Sequence, residues 1–306
     1  MRLNKYNFKS KIRIWLIEHP KFNPYRFSLK NNFHLITNNM RVLPDFIIIG
    51  SGRAGTTALY SYLIQHPQIM KCFTHNDEKV ADLHFFEYMI SKKIGWYRSH
   101  FPTKIFKKIK ELKSGKKCIT GEFTSTYMYH EHVPQRIINT IPKTKILVIL
   151  RNPIDKIYST YCQQFSFNEY LSNFEETIQS EIDRMKIFQK SPNKRIFNEN
   201  IDSIVTCNIL RHGIYYNYLK KWFEIFPENQ IMVIDSKKLN NDTINCIKEV
   251  FNFLNIEEIE INDVSKINKG NYNRIDNKTR DELISFFKPY NKKLNKLLKT
   301  NFEWNE

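Results

Sequence analysis

Residues 50–57 combine glycines, hydroxyl groups and one arginine in a spacing that suits phosphate binding. They read Gly50-Ser51-Gly52-Arg53-Ala54-Gly55-Thr56-Thr57, after the apolar run 46–49 and before a helical pattern. Glycine allows backbone N–H groups to approach an anion closely, and the start of a helix adds aligned donors with a partial positive charge. A tight turn without a ligand is the alternative, but the strand, the glycines and the threonines together favour a phosphate loop.

The loop differs from that of nucleoside triphosphatases at the position of the phosphate-binding lysine. Gly50, Gly55 and Thr57 fit the pattern G-x-x-x-x-G-K-[ST]. Thr56, however, stands where the lysine belongs, and the cation of the loop is Arg53. The clearest later strand ends in an arginine, not in an aspartate that would help to hold magnesium. The sequence therefore predicts a site without a metal, which argues against a kinase or nucleotidase.

A second candidate phosphate site follows the apolar run 145–150. Arg151 stands at the end of this predicted strand, and Ser159 lies in the helix predicted after it. A guanidinium group contacts phosphate bidentately, and a hydroxyl adds one more hydrogen bond. Together with the loop at 50–57, this site predicts a nucleotide that is phosphorylated at both ends.

The elements that must position these residues alternate between strands and helices. Strands are predicted at 46–49, 117–121, 145–150 and 230–235, and helices at 57–65, 132–140, 154–164, 174–190, 214–226, 243–254 and 277–298. Alternation is typical of an α/β fold, and continuous apolar strands are typical of a parallel sheet covered on both faces. We expect a central, mostly parallel sheet with a P-loop-like phosphate loop and helices on both faces. Residues 44–306 would form this domain after a basic N-terminal extension, residues 1–43.

The composition is that of a folded, basic protein. Of 306 residues, 41% are hydrophobic, and the formal net charge of +17 attracts polyanions such as acidic glycans and nucleic acids. No nucleic-acid recognition motif accompanies the charge, so a nucleotide- or nucleic-acid-binding protein without catalysis is the weaker alternative. The basic N-terminus suggests at most weak contact with an anionic membrane surface. Five widely spaced cysteines predict reduced thiols, no zinc site and a cytoplasmic location.

These motifs together resemble the sulfotransferase family that uses 3′-phosphoadenosine 5′-phosphosulfate (PAPS), and more closely its heparan-sulfate-type branch. Residues 46–67, FIIIGSGRAGTTALYSYLIQHP, resemble the family's 5′-phosphosulfate loop. Residues 145–161, KILVILRNPIDKIYSTY, resemble its 3′-phosphate motif. The segment GEFTSTYMY around Glu122 resembles the family's catalytic region, and His84-Phe85-Phe86 resembles its substrate-side loop.

The resemblance implies transfer of a sulfuryl group from PAPS to a hydroxyl or amine by in-line displacement without a metal. It implies donor contacts from Gly50, Ser51, Gly52, Arg53, Ala54, Gly55, Thr56, Thr57, Arg151, Ser159, Lys269 and Gly270. Arg53 would take the position of the usual catalytic lysine and stabilise charge on the leaving phosphate oxygen. Glu122 would be the general base, with His84 as the alternative base or an acceptor contact.

The acceptor implied by the resemblance is a carbohydrate. Trp96 and Tyr97 could then stack on a sugar ring, but aromatic residues of this kind more often belong to the core. A lipid or a small alcohol is the alternative acceptor for the same donor. An open cleft at the carboxyl edge of the sheet favours a polymer, whereas a closed apolar pocket favours a small molecule.

Overall fold

The centre of the molecule is a five-stranded parallel sheet. A computed structural model describes residues 29–73, 82–165, 173–190, 209–264 and 275–304. The strands are β1 (Phe46–Gly50), β2 (Ile69–Met70), β3 (Ile119–Phe123), β4 (Lys145–Leu150) and β5 (Ile231–Asp235). Their order is β2-β3-β1-β4-β5, and each neighbouring pair is parallel. The predicted α/β fold with a central parallel sheet is confirmed.

Helices cover both faces of this sheet. In chain order they are α1 (Leu29–Ile36), α2 (Thr56–Leu63), α3 (Lys93–Arg98), α4 (Lys104–Ser114), α5 (Val133–Thr140), α6 (Pro153–Phe165), α7 (Phe174–Lys190), α8 (Tyr215–Ile225), α9 (Ser236–Asn241), α10 (Thr243–Leu254) and α11 (Asn277–Leu298). Ile47 and Ile49 of β1 belong to a core cluster with residues of α5, α8 and α11. Phe46 and Ile48 belong to a second cluster with residues of α2 and α10. Successive side chains of a strand point to opposite faces, so β1 is buried between two helical layers.

The predicted bounds agree best where the hydrophobic pattern is long. Strand β4 and helices α7, α10 and α11 have the predicted bounds, whereas β3 lies two residues later than predicted. No prediction covers the two-residue strand β2 or helices α4 and α9. Helix α9 has six residues, and its one signal is the Asp235 side chain, which accepts a hydrogen bond from Lys237 N. The apolar residues of helix α4 are exposed at the surface, so this helix does not bury an apolar side against the core.

Two segments of interest lie at the limits of the described residues. The described part of the N-terminal extension contains α1, and Arg41 forms an antiparallel bridge with Thr103. The predicted donor contacts Lys269 and Gly270 lie outside the described residues. Among the helices within the described ranges, none has the length and apolar character needed to cross a membrane.

Candidate active site

The predicted phosphate loop joins the end of β1 to the first turn of α2. Gly50 has a φ of +150°, and a Cβ atom on it would lie 3.0 Å from Ser125 O. Gly55, the residue before α2, has a φ of +113°, a conformation that glycine adopts at little cost. The first N–H groups of a helix have no acceptor within the helix. The two glycines therefore shape a loop in which backbone donors can meet an anion.

The two predicted phosphate motifs are in direct contact. Arg53 Nε donates a hydrogen bond to Ser159 Oγ at 3.1 Å, and Arg151 Nη1 donates to Arg53 O at 3.4 Å. Arg151 follows β4, which pairs with β1, and Ser159 lies in α6. Neighbouring parallel strands end at the same edge of a sheet, so the sheet itself brings the two motifs together.

A cleft of about 630 Å³ opens at this edge of the sheet. The predicted donor contacts that line it are Arg53, Ala54, Gly55, Thr56, Thr57, Arg151 and Ser159. Gly50, Ser51 and Gly52 are not part of its lining. Ser51 is fully buried, and its N–H donates to Ile149 O at 2.7 Å. These three residues form the start of the turn and do not face the cleft. Residues 53–57, together with Arg151 and Ser159, line it.

Several residues of the cleft were not among the sequence predictions. They are Asn152, Asp155, Asp235, Ser236, Lys237 and Asn240. Ser236 and Lys237 directly follow β5. Residues just after the carboxyl end of a strand in a parallel sheet commonly contact ligands, so this position could have identified them from the sequence. Trp304 lines the cleft as well, and its ring stacks on that of Phe302 with centroids 4.2 Å apart.

Glu122 lies in β3 and is fully buried. Tyr97 OH donates a hydrogen bond to its Oε1 at 3.0 Å, and Thr124 Oγ1 donates to its Oε2 at 2.8 Å. Burial raises the pKa of Glu122 to about 8, although both hydrogen bonds oppose this shift. Both carboxylate oxygens are thus engaged, and Glu122 does not line the 630 Å³ cleft.

Thr124 connects Glu122 to the segment 82–87. The Thr124 hydroxyl, which donates to Glu122, accepts hydrogen bonds from Leu83 N at 3.1 Å and from His84 N at 3.4 Å. Two backbone donors of this segment therefore depend on one threonine side chain. Through that hydroxyl, Glu122 supports the segment that contains the predicted residue His84.

The His84 side chain contacts a buried carboxylate. His84 Nδ1 contacts Glu87 Oε1, to which Thr126 Oγ1 donates at 2.7 Å, and His130 Nε2 lies 3.0 Å from Glu87 Oε2. Burial disfavours the charged form of Glu87, but the hydrogen bonds from His130, His84 and Thr126 prevail and lower its pKa to about 2. Burial acts to lower the pKa of His84, but Glu87 and Asp82 outweigh it and raise that pKa. Glu87 therefore fixes the orientation of the His84 ring.

Asp82 is a residue of this region that the sequence did not predict. Its side chain is 44% exposed, and its Oδ1 accepts a hydrogen bond from Ser125 N at 3.2 Å. Ser125 adjoins the phosphate loop, because a Cβ atom on Gly52 would lie 3.7 Å from Ser125 Oγ. Asp82 Oδ2 lies 3.8 Å from His84 Nε2. Partial burial raises the pKa of Asp82, while His84 and Ser125 N oppose the shift. Its one signal in the sequence is its place two residues before His84.

The aromatic residues after this segment belong to the core. Tyr97 is fully buried, its ring stacks on Phe85 with centroids 4.6 Å apart, and its hydroxyl bonds to Glu122. Trp96 is partly buried and packs edge-on against the His100 ring at 4.4 Å. The interpretation of Tyr97 as a core residue is therefore confirmed, and the alternative of sugar stacking is wrong for it, because neither face of its ring is exposed.

The fold, the loop and the cleft define an α/β protein with a phosphate-binding site at the carboxyl edge of its sheet. A profile of the sulfotransferase domain family matches residues 43–288, so the chain belongs to this family and is a sulfotransferase. The match includes both phosphate motifs, the segment 82–87 and Glu122. The resemblance inferred from the motifs is thereby confirmed.

Most of this chain is similar in sequence to other sulfotransferases. The membrane-associated sulfotransferase kil1 of Dictyostelium discoideum is 24% identical over 88% of this chain and 68% of its own length. The human bifunctional heparan sulfate N-deacetylase/N-sulfotransferase 3 is 26% identical over 84% of this chain, and the mouse heparan sulfate glucosamine 3-O-sulfotransferase 6 is 24% identical over 72%. The chain spans only 30% of the human protein and 54% of the mouse protein.

A solved structure has the same fold. The sulfotransferase from Alicyclobacillus acidocaldarius superposes with a TM-score of 0.63 at 22% identity, and the match covers 87% of this chain and 100% of that chain. This likeness supports the arrangement of sheet and helices described above.

Proposed function

We propose that this sulfotransferase transfers a sulfuryl group from PAPS to a hydroxyl or amine of a glycan. The observation that supports this most strongly is the 3.1 Å hydrogen bond between Arg53 and Ser159. It joins two predicted phosphate sites within one cleft, so a single nucleotide with phosphates at both ends can contact both sites.

The cleft fits PAPS in size and in the kind of donors it offers. A volume of about 630 Å³ lies within the usual range for small-ligand sites. The N–H groups at the start of α2 and the hydroxyls of Thr56 and Thr57 would hold the 5′-phosphosulfate. Arg151 and Ser159 would hold the 3′-phosphate, since guanidinium and hydroxyl donors are well suited to a phosphate dianion.

Arg53 would stabilise charge and would not donate a proton. A guanidinium group keeps its proton in proteins, so it acts on a leaving phosphate through its charge and its hydrogen bonds. The side chain lies where the two phosphate sites meet, because it reaches Ser159 from the first loop. We assign to Arg53 the stabilisation of charge that develops on the departing bisphosphate.

Accessibility favours Asp82 over Glu122 as the group that accepts the proton of the acceptor. Glu122, the base predicted from the sequence, is fully buried, and both of its oxygens accept hydrogen bonds. Asp82 is 44% exposed and is anchored by Ser125 N beside the phosphate loop. Asp82 would take the proton with His84 beside it, and Glu122 would support this segment through Thr124.

A glycan acceptor is supported by the relatives and by the charge of the chain. Two of the relatives are named for heparan sulfate. A net charge of +17 attracts an acidic polymer to the protein as a whole. A lipid or small alcohol is the alternative acceptor, and a direct assay distinguishes the three.

The experiment combines a binding measurement with an acceptor screen. Calorimetry with adenosine 3′,5′-bisphosphate should show binding, and adenosine 5′-triphosphate should not replace it. The purified chain is then incubated with ³⁵S-labelled PAPS and separate panels of glycans, lipids and small alcohols. Label in the glycan fraction is the expected result. Absence of heat with the bisphosphate would refute the donor assignment, and label only in lipids or alcohols would refute the acceptor assignment alone.

A further inference from the structure

Helix α4 packs on the body of the protein with its polar side. Lys107 Nζ lies 3.5 Å from Asp45 Oδ2, and Glu111 Oε1 accepts a hydrogen bond from Cys118 N at 3.0 Å. No residue of α4 is buried. A surface helix of a globular protein usually turns its apolar side to the core, so the orientation of α4 is the reverse of the usual one.

The apolar residues of α4 form one exposed stripe. Ile105, Phe106, Ile109 and Leu112 are 58%, 56%, 45% and 71% exposed. At 3.6 residues per turn these four positions fall within an arc of about 120°. The centre of that arc is opposite to Lys107 and Glu111, which contact the body. We call this set of four residues the α4 stripe.

Lysines surround the α4 stripe. Helical spacing places Lys108 along one side of it, Lys110 along the other, and Lys113 at its carboxyl-terminal end. Lys108 and Lys113 are exposed. Glu111 is the one acidic residue of α4, and it is turned toward the body. Two more exposed lysines, Lys116 and Lys117, follow the helix before β3 begins, and Lys116 pairs with Glu257. The stripe is therefore an apolar surface with a cationic border.

A cleft beside Phe106 extends this surface. It has a volume of about 330 Å³, and its lining includes Met70, Phe73, Lys71 and Lys110. Like the α4 stripe, this cleft therefore has apolar groups next to ammonium groups. An apolar stripe with flanking lysines is the pattern of helices that lie in the boundary between lipid headgroups and acyl chains.

We propose that α4 docks on an anionic lipid surface. The four side chains of the α4 stripe would enter the acyl boundary, and Lys108, Lys110 and Lys113 would contact acidic headgroups. Neither nucleic acid nor an acidic glycan offers an apolar layer for Ile109 and Leu112, whereas an anionic bilayer offers both parts. The net charge of +17 adds a general attraction to such a surface.

Docking in this way leaves the PAPS cleft accessible. The underside of α4 contacts Asp45, which directly precedes β1, so the helix lies at the amino ends of the strands. The cleft with Arg53 and Arg151 lies at their carboxyl ends. The proposal is therefore independent of the proposed donor and acceptor.

Vesicle co-sedimentation of the full chain tests the proposal. Phosphatidylcholine vesicles with about one third phosphatidylserine should bind the protein, and pure phosphatidylcholine vesicles should bind it far less. Lys108→Glu/Lys113→Glu should weaken binding by at least about tenfold. The matched control Lys292→Glu/Lys296→Glu changes the net charge equally on exposed positions of α11 and should bind like the wild type. If both double variants lost vesicle binding equally, net charge alone would explain the binding, and the proposal would be overturned.

A second pair of variants tests the apolar part. Ile109→Ser/Leu112→Ser should weaken vesicle binding, whereas Ile244→Ser, at a position 47% exposed on α10, should leave it unchanged. Thermal unfolding and binding of adenosine 3′,5′-bisphosphate should be the same in all variants, which excludes misfolding. Unchanged vesicle binding in the α4 variant would overturn the proposal.

A fluorescent probe separates lipid from other occupants of the stripe. Leu112→Cys is labelled with an environment-sensitive dye, and wild-type protein treated identically supplies the background. A blue shift on addition of anionic vesicles supports docking on lipid. A blue shift without vesicles that grows with protein concentration would indicate a second copy of the chain. A constant blue shift at all concentrations, unaffected by vesicles, would indicate cover by residues 1–28, and either result would overturn the proposal.

Discussion

Arg53 and Ser159 are 106 residues apart in the chain and share a hydrogen bond of 3.1 Å. The contact exists because β1, which precedes Arg53, pairs with β4, which precedes the helix of Ser159. It makes the two predicted phosphate sites one unit, in which a residue proposed to bind one end of the donor touches a residue proposed to bind the other.

Replacing Arg53 should impair catalysis more than binding. Arg53→Ala is expected to lower kcat by about 100-fold or more, since removal of one preorganised group at the developing charge typically costs this much. Arg53→Lys retains the cation and is the matched control, which should keep most of the turnover. Steady-state kinetics with labelled PAPS measure both. Equal losses in the two variants would contradict a role based on charge.

Replacing Arg151 should weaken donor binding in a way that depends on the 3′-phosphate. Arg151→Ala is expected to cost about 1.5–3 kcal/mol in the affinity for adenosine 3′,5′-bisphosphate, as for other hydrogen bonds to charged groups. The affinity for a nucleotide without a 3′-phosphate, adenosine 5′-phosphosulfate, should change little. Calorimetry with the two nucleotides provides the comparison. A similar loss of affinity for both nucleotides would show that Arg151 does not contact the 3′-phosphate.

The proton acceptor can be identified with two conservative substitutions. Asp82→Asn should reduce kcat strongly while adenosine 3′,5′-bisphosphate still binds, because the amide cannot accept the proton. Glu122→Gln should retain much more turnover, since its role in this view is to support Thr124. Kinetics of both variants at saturating PAPS measure the effect. Loss of turnover in Glu122→Gln alone would assign the base to Glu122, as predicted from the sequence.

The burial of Glu122 should make stability depend on pH. Its pKa is about 8 in the folded protein and 4.5 in the unfolded chain. Between these values the folded state binds a proton that the unfolded state has released, so the free energy of unfolding falls as pH rises through this window. Glu122→Gln removes the titration and should flatten the curve. Urea unfolding across the window measures it, and identical pH slopes in both proteins would show that another group titrates.

The contact with Glu87 should control the protonation of His84. Glu87→Gln is expected to lower the pKa of His84, because it removes the carboxylate whose hydrogen bond favours the imidazolium form. NMR titration of the imidazole carbon signals measures this pKa directly. Glu111→Gln, on α4, is the control and should leave the His84 titration unchanged. An unaltered His84 pKa in Glu87→Gln would contradict the pairing.

The phosphate side of the site was predictable because its signals are local. Gly50 ends an apolar strand, Gly55 and the two threonines follow in the next turn, and Arg151 directly follows another strand. Continuous apolar runs indicate parallel strands, and such strands end at one edge of the sheet. Sequence order alone therefore brought Arg53 and Arg151 to one cleft.

The other side of the site was not predictable, because it depends on contacts between distant segments. Asp82 is held by Ser125 N, 43 positions away, and His84 by the Thr124 hydroxyl, 40 positions away. The pattern around Glu122 gave no indication that Tyr97, from a separate helix, covers it. Burial of a carboxylate in a strand is decided by such neighbours, and spacing along the chain does not reveal them.

The attachment of the segment 82–87 through Thr124 has a consequence for how this enzyme can diverge. The donor groups lie on turns fixed by the sheet, whereas Asp82 and His84 lie on a separate stretch linked to it by a few side-chain contacts. Substitutions around Asp82 and His84 could therefore change the acceptor without displacing the residues proposed to bind the nucleotide. Related sulfotransferases could thus come to use different acceptors while they keep the same sulfuryl donor.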